Sequence, residues 1–431
     1  MNSNFEKSIL RLKSVCVYGL GRTGKSVVRF LKEKTNKKVH IWDDNPTIKN
    51  KHKINKGVFS KNLNLSDFIV MSPGINLNNT KLKKQLSKNK KKMITDLDLF
   101  YLYNPKIKTI VVTGTNGKST TCKIIEHVLK KNKINVKLGG NIGNPVLNLN
   151  LKNQPLVIIE ASSFQLAYSK YIKPNYAILL NITKDHLDWH NSMKKYTESK
   201  LKIFSNQEKT HFAYLNNKKL LKKFKKNKFS SKINLISNIA VKKFKKKINN
   251  QYLESEINEE NLSFAYAVCK NLKVNEQLFI NSLKSFKGLP HRHEIIFKNK
   301  NRIFINDSKA TSFESSKFAL KNNKNIFWIV GGQPKHGDRF ILEGVKKNII
   351  KSYIIGKNIN FFKQQIKNKI KFEEVNTIKK AIYQILKDIK KLKCKYATIL
   401  LSPASASYDQ YISFNERGND FKKQVRKYEN K

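Results

Sequence analysis

With 431 residues, 39% of them hydrophobic and 10% aromatic, the chain has enough apolar side chains for sizeable cores, which excludes a mini-protein and wholesale disorder. Its 87 Lys and Arg against 30 Asp and Glu leave a net charge of +57, spread along the whole chain as a compositional bias would spread it. Nucleic acid would answer that charge, and so would an acidic small molecule. The four scattered cysteines form no Cys-x-x-Cys pair, so they argue against a zinc ribbon or a dithiol redox motif and fit a reducing, cytosolic setting.

Short apolar runs at 15–18, 39–42, 68–71, 109–113, 156–159, 177–180, 326–330, 352–355 and 397–401 read as buried strands of parallel sheets with helices between them. The class is α/β. At roughly 150 residues per domain three domains are expected. We set them at 1–97, 98–288 and 289–431, the last break marked by Gly288-Leu289-Pro290. No apolar run approaches a membrane span, and the stretch at 15–20 is too short for a signal peptide.

The first run feeds Gly19-x-Gly21-Arg22-Thr23-Gly24, and Asp43 and Asp44 follow the second. That pattern holds a dinucleotide, which keeps an NAD-dependent oxidoreductase in play, or any other diphosphate. Ser72-Pro73-Gly74 after the third run either adds to that pocket or is a simple turn. The run at 109–113 is more specific, because it enters Gly114-Thr115-Asn116-Gly117-Lys118-Ser119-Thr120 and then an amphipathic helix. Glycines let backbone N–H groups approach a polyphosphate, Lys118 neutralises its β- and γ-phosphates, and the Ser119 hydroxyl, helped by Thr120, reaches Mg²⁺. The spacing departs from the common G-x-x-x-x-G-K-[ST], since position 112 is Val.

Glu160 closes another strand and is placed for Mg²⁺, whereas Asn181 to His186 form a polar cluster after the next. His186 and His190 have i,i+4 spacing without the Glu of a zinc protease. Lys200 sits nearby and would be repelled by cations unless modified or paired with phosphate. The Lys-rich stretch 217–250 reads as a solvated peripheral segment.

Taken together, these segments resemble the Mur ligases. The likeness runs collinearly through Thr113 to Thr120, Gly139 to Pro145, Glu160-Ala161-Ser162-Ser163-Phe164-Gln165 and Asn181 to His186. It continues through Tyr196 to Lys200, His291-Arg292, Asn306-Asp307-Ser308-Lys309-Ala310-Thr311, Gly331 to Lys335 and Leu401 to Gly418. The resemblance implies a Rossmann-like N-terminal domain, a P-loop ATPase-like central domain and a Rossmann-like C-terminal domain. It implies an ATP-dependent amide ligase of cytoplasmic peptidoglycan precursor synthesis, working as a monomer without nucleic acid or membrane insertion. The segments at 306–311 and 402–410 point to the member that adds D-glutamate to UDP-N-acetylmuramoyl-L-alanine.

By the same resemblance the UDP-substrate meets Gly21, Arg22, Thr23, Asp43, Ser72, Gly74, Asn141, Ser162, Gln165 and His186. ATP meets the loop from Gly114 to Thr120 with Asn261, Arg292 and Asp307. D-Glutamate lies among Lys309, Thr311, Lys335, Ser407 and Phe414. Ser119, Glu160, His186 and a carbamylated Lys200 hold two Mg²⁺ ions, and Lys118, His186 and Lys200 are catalytic. Ligands divided between domains imply closure on binding. One departure stands out: where the family carries Gly-x-His-Asn, its Asn touching adenine, this chain reads Asn258-Glu259-Glu260-Asn261.

Overall fold

The computed structural model describes residues 14–36, 38–250, 252–253, 256–334 and 337–429. It falls into two compact units, Met1–Phe286 and Lys287–Lys431. The first unit holds two parallel sheets. One runs in the order β2-β1-β3-β4, from β1 (Ser14–Tyr18), β2 (Lys38–Trp42), β3 (Phe68–Met71) and β4 (Met93–Ile94). The other is six-stranded in the order β10-β9-β8-β5-β7-β6. Its strands are β5 (Thr109–Thr113), β6 (Val136–Gly140), β7 (Leu156–Glu160), β8 (Tyr176–Leu179), β9 (Phe212–Leu215) and β10 (Lys232–Leu235).

All five residues of β5 are buried, as expected for a central strand covered on both faces. Its neighbours are β7 and β8, so the carboxyl ends of these three strands open on one crevice, where open α/β sheets bind ligands. The helix Lys118–Lys131 that follows β5 buries Ile124, Ile125, Val128 and Leu129. The Lys-rich stretch is more than a solvated appendage. It supplies edge strand β10 and two helices, Lys218–Lys226 and Ile239–Ile248, which bury Leu220, Phe224, Val241, Phe244 and Ile248.

The second unit carries β11 (Glu294–Lys298), β12 (Arg302–Asn306), β13 (Ile326–Gly331), β14 (Ile349–Ile355), β15 (Phe372–Asn376) and β16 (Ala397–Leu401). Their order is β11-β12-β16-β13-β14-β15, parallel except for β11 against β12. The edge strand β11 is half-buried along most of its length. Among the described residues, no helix is long and apolar enough to cross a membrane.

The break set at 97/98 falls inside the helix Asp96–Tyr103. Leu99 of that helix packs with Val15, Val17 and Ile94 of the first sheet. Leu97, Phe100 and Tyr101 pack with Val111, Val157 and Ile159 of the second. Amphipathic periodicity cannot reveal this, because the helix is apolar on both faces. The Asp98 carboxylate accepts from the N–H groups of Thr95, Lys170 and Tyr171 at 2.8, 2.8 and 2.7 Å, tying the helix start to the segment after β7.

Asp96 is 1% exposed and accepts from Gln165 Nε2 at 3.2 Å. Burial pushes its pKa from 3.8 up to about 6. Between those two values the folded chain keeps a proton that the unfolded chain has lost, so the stability from this group, full below pH 3.8, drains away as pH rises through 6. Urea denaturation should show wild type losing about 3 kcal/mol relative to Asp96→Asn across that window. Parallel pH profiles for the two proteins would refute the shift.

Candidate active site

Gly117, with φ +83°, starts the helix Lys118–Lys131, and a Cβ there would lie 2.2 Å from Asn261 Oδ1. A side chain is therefore excluded twice, by backbone conformation and by space. The loop between β5 and this helix is held from the end of β8. Asn181 accepts the Thr115 N–H on its backbone oxygen and the Asn116 N–H on Oδ1, both at 2.9 Å. Thr115 Oγ1 accepts from the Thr183 N–H at 3.0 Å and lies 3.0 Å from the Tyr196 hydroxyl.

Lys118 Nζ folds back onto the carbonyl oxygens of Gly114 and Thr115 at 2.9 and 2.7 Å. Its ammonium thus stands over the loop whose N–H groups would face a phosphate. Ser119 Oγ donates to Glu160 Oε2 at 2.6 Å, and Asn141 Nδ2 donates to Glu160 Oε1 at 2.6 Å. Three expected site residues are brought together here, and the hydroxyl and carboxylate oxygens are the hard donors Mg²⁺ takes. Thr120 is buried at the helix start.

Lys200 is 1% exposed, donates to Gly114 O at 2.7 Å and has Nζ 4.7 Å from the centre of the Tyr196 ring. Burial and the neighbouring Lys118 charge hold its pKa well below the usual lysine range. His186 adopts φ +52° and contacts Asp185 at 3.3 Å and the Phe164 ring at 4.7 Å. It joins the loop through Tyr196, whose ring lies 6.5 Å from it.

Other expected residues have structural work. Ser162 caps the helix Ser163–Tyr168, and Gln165 completes its capping box while bonding Asp96. Asn261 is 2% exposed. Its Oδ1 accepts from Thr121 Oγ1 at 3.2 Å and its Nδ2 donates to Asn258 Oδ1 at 3.1 Å, so its amide is engaged at both ends beside the loop.

At the first sheet, Gly21 precedes the helix Arg22–Lys34, which also carries Thr23. A Cβ on Gly24 would come within 1.8 Å of Gly19 O, so the helix presses directly on the glycine turn. Asp43 accepts from the Leu20 N–H at 2.6 Å, and Ser72 Oγ donates to Gly19 O at 2.7 Å. Arg22 donates to the Gly143 backbone carbonyl and to Asn144 Oδ1, beside the Asn141 loop. Gly74 has open space around it.

In the second unit, burial lifts the Asp307 pKa to about 7 while Ser402 Oγ and the His293 N–H bond it at 2.8 and 3.1 Å. The charge of the adjacent Arg292 works against that rise. Lys309 Nζ stands 3.8 Å over the Phe414 ring. Thr311 is half-buried, Ser407 is buried, and Lys335 lies outside the described residues. Sequence reasoning gave no role to Arg417. It is 1% exposed and donates to the carbonyls of Ser308, Ser405 and Ala406 and to Ser308 Oγ, at 2.9 to 3.3 Å. A lone arginine among so many cations carried no local signal.

Residues 13–94 match the family model described as Mur ligase MurD-like, N-terminal domain, and residues 112–281 match the Mur ligase middle domain. The chain is 33% identical to the UDP-N-acetylmuramoylalanine--D-glutamate ligase of Wolbachia sp. subsp. Brugia malayi, over 95% of each chain. It is 36% identical to the protein of that name from Buchnera aphidicola subsp. Schizaphis graminum, over 95% of this chain and 97% of that one. Among solved structures, MurF ligase from Thermotoga maritima in complex with ADP superposes with a TM-score of 0.56 at 14% identity, covering 99% of this chain and 100% of that one.

Proposed function

The chain belongs to the Mur ligase family, and from that premise we propose that it joins D-glutamate to UDP-N-acetylmuramoyl-L-alanine at the expense of ATP. The observation that carries this reading is the meeting of the phosphate loop with Ser119 and Glu160 at the ends of β5 and β7. Identity to D-glutamate ligases along nearly the whole of both chains supports the choice of amino acid.

A free carboxylate resists amines because its charge repels them and oxide does not leave. Transfer of the γ-phosphoryl group to the alanyl carboxylate gives an acyl phosphate, which the glutamate amine then displaces. The protein's task is to align in-line attack and spread the phosphate charge. Lys118 and the loop N–H groups bind the β- and γ-phosphates. Ser119 and Glu160 would hold Mg²⁺, with His186 and Lys200 serving a second ion; the metal supplies charge neutralisation when bound. Arg22, Asp43 and Asn141 bind on the UDP-substrate side. Lys309, Thr311, Lys335, Ser407 and Phe414 bind D-glutamate, and Arg292 and Asp307 the nucleotide.

Carbamylation of Lys200 is part of the proposal. Burial and the Lys118 charge lower the Lys200 pKa, which favours the neutral amine that attacks carbon dioxide, and the resulting carbamate would be an anionic oxygen ligand.

The test is the purified chain with ATP, Mg²⁺, the UDP-substrate and, in separate reactions, D-Glu, L-Glu, L-Ala or L-Lys, scored by mass spectrometry. Product should form with D-Glu alone and fall in buffer stripped of carbon dioxide. Product with another amino acid would overturn the substrate assignment, and product without ATP the mechanism.

A further inference from the structure

The departure at 258–261 has a structural counterpart. Glu260 lies on the helix Glu256–Asn271, which packs along the helix that begins at the phosphate loop. Its Oε2 accepts from Asn181 Nδ2 at 3.0 Å, and its Oε1 accepts from Asn216 Nδ2. Asn181 follows β8 and Asn216 follows the adjacent strand β9, so one carboxylate ties two neighbouring strand ends. Burial raises the Glu260 pKa, and both amides work against that rise.

A primary amide can present either its oxygen or its nitrogen to a given neighbour, and a carboxylate removes the choice because it only accepts. With Nδ2 held by Glu260, Asn181 must turn Oδ1 to the Asn116 N–H. Turning the amide over would face oxygen with oxygen and N–H with N–H, losing both bonds. The neighbouring departure works in parallel. Asn258 Oδ1 takes Asn261 Nδ2, which leaves Asn261 Oδ1 against Gly117 and Thr121.

We propose that Glu260 is a positioning residue of the phosphate loop, fixing the Asn181 amide and through it the Asn116 N–H, and so setting the loop's fit to a nucleoside triphosphate. The inference rests on the ATP-dependent reading above. It concerns this chain's own solution, since the family pattern has His where Glu260 stands, and one neutral imidazole offers a single acceptor where two amides need one each.

Steady-state kinetics and calorimetric titration of Mg-ATP test it on the full chain. Glu260→Ala should raise KM and Kd for ATP about tenfold, the scale of losing one hydrogen bond to a charged group. KM for the UDP-substrate and D-glutamate should stay within about twofold. Glu260→Gln should recover most of the loss, because its oxygen still meets Asn181 while the half-buried Asn216 amide turns to accept its N–H, giving up only the bond from the exposed Asn217. In an Asn181→Ala background, Glu260→Ala should add little. The inference falls if KM for ATP is unchanged, if all three KM values rise together, if Gln is as poor as Ala, or if the two substitutions add fully. Should Glu260→Ala not fold, Glu260→Asp, which withdraws the carboxylate by one methylene, faces the same outcomes. A wild type that neither binds ATP nor makes product sinks the functional reading instead.

Discussion

Lys118→Ala is expected to cut ATP-dependent product formation by about a thousandfold or more while leaving the chain folded. The side chain arises from the first turn of the helix after β5, and its ammonium is held by two loop carbonyls. Those bonds are worth about 1 kcal/mol each at most, because water replaces them when a half-exposed cation is removed. No comparable substitute exists for the reaction, where a fixed positive charge must meet oxygens whose charge shifts during phosphoryl transfer. Mass-spectrometric product assays and thermal melts check both halves. Turnover at the wild-type rate would remove the loop from the chemistry.

Arg417→Ala is expected to cost about 3 kcal/mol or more of stability in Lys287–Lys431. The guanidinium is buried with four donated bonds, which tie Ser308, beside Lys309, to Ser405 and Ala406, beside Ser407. Truncation strands buried carbonyl oxygens without donors. Burial lowers the Arg417 pKa to about 10, the nearby Asp409 charge opposing, so the group stays a cation at neutral pH and the loss should be flat there. Arg417→Lys should rescue little, since a point ammonium cannot span acceptors laid out for a planar fork. KM for D-glutamate should rise with both changes, because the residues proposed to bind it flank the stranded carbonyls. Urea denaturation and amino-acid titrations measure the two effects, and a wild-type midpoint in Arg417→Ala would contradict the bracing role.

The parts of the fold and site that could be read from the sequence are the local ones. A buried parallel strand is a continuous apolar run, so 68–71, 109–113 and 397–401 coincide with β3, β5 and β16. The phosphate loop has its glycines, Lys118 and Ser119 within a few residues, and Glu160 ends its strand. Partners distant in sequence left no such trace. Asn181 reaches Asn116 across 65 positions, Glu260 reaches Asn181 across 79, and Arg417 reaches Ser308 across 109. Asn261 carries another such link: its motif is legible, but its contacts with Gly117 and Thr121 are not.

The shared helix Asp96–Tyr103 also limits how this enzyme can be dissected. A fragment cut at 97/98 would strip Leu99 from the first core and Leu97 from the second. Transplanting the N-terminal sheet into a homologous scaffold would therefore create a mismatched seam, and recombination that preserves a working ligase should favour crossovers after Phe286.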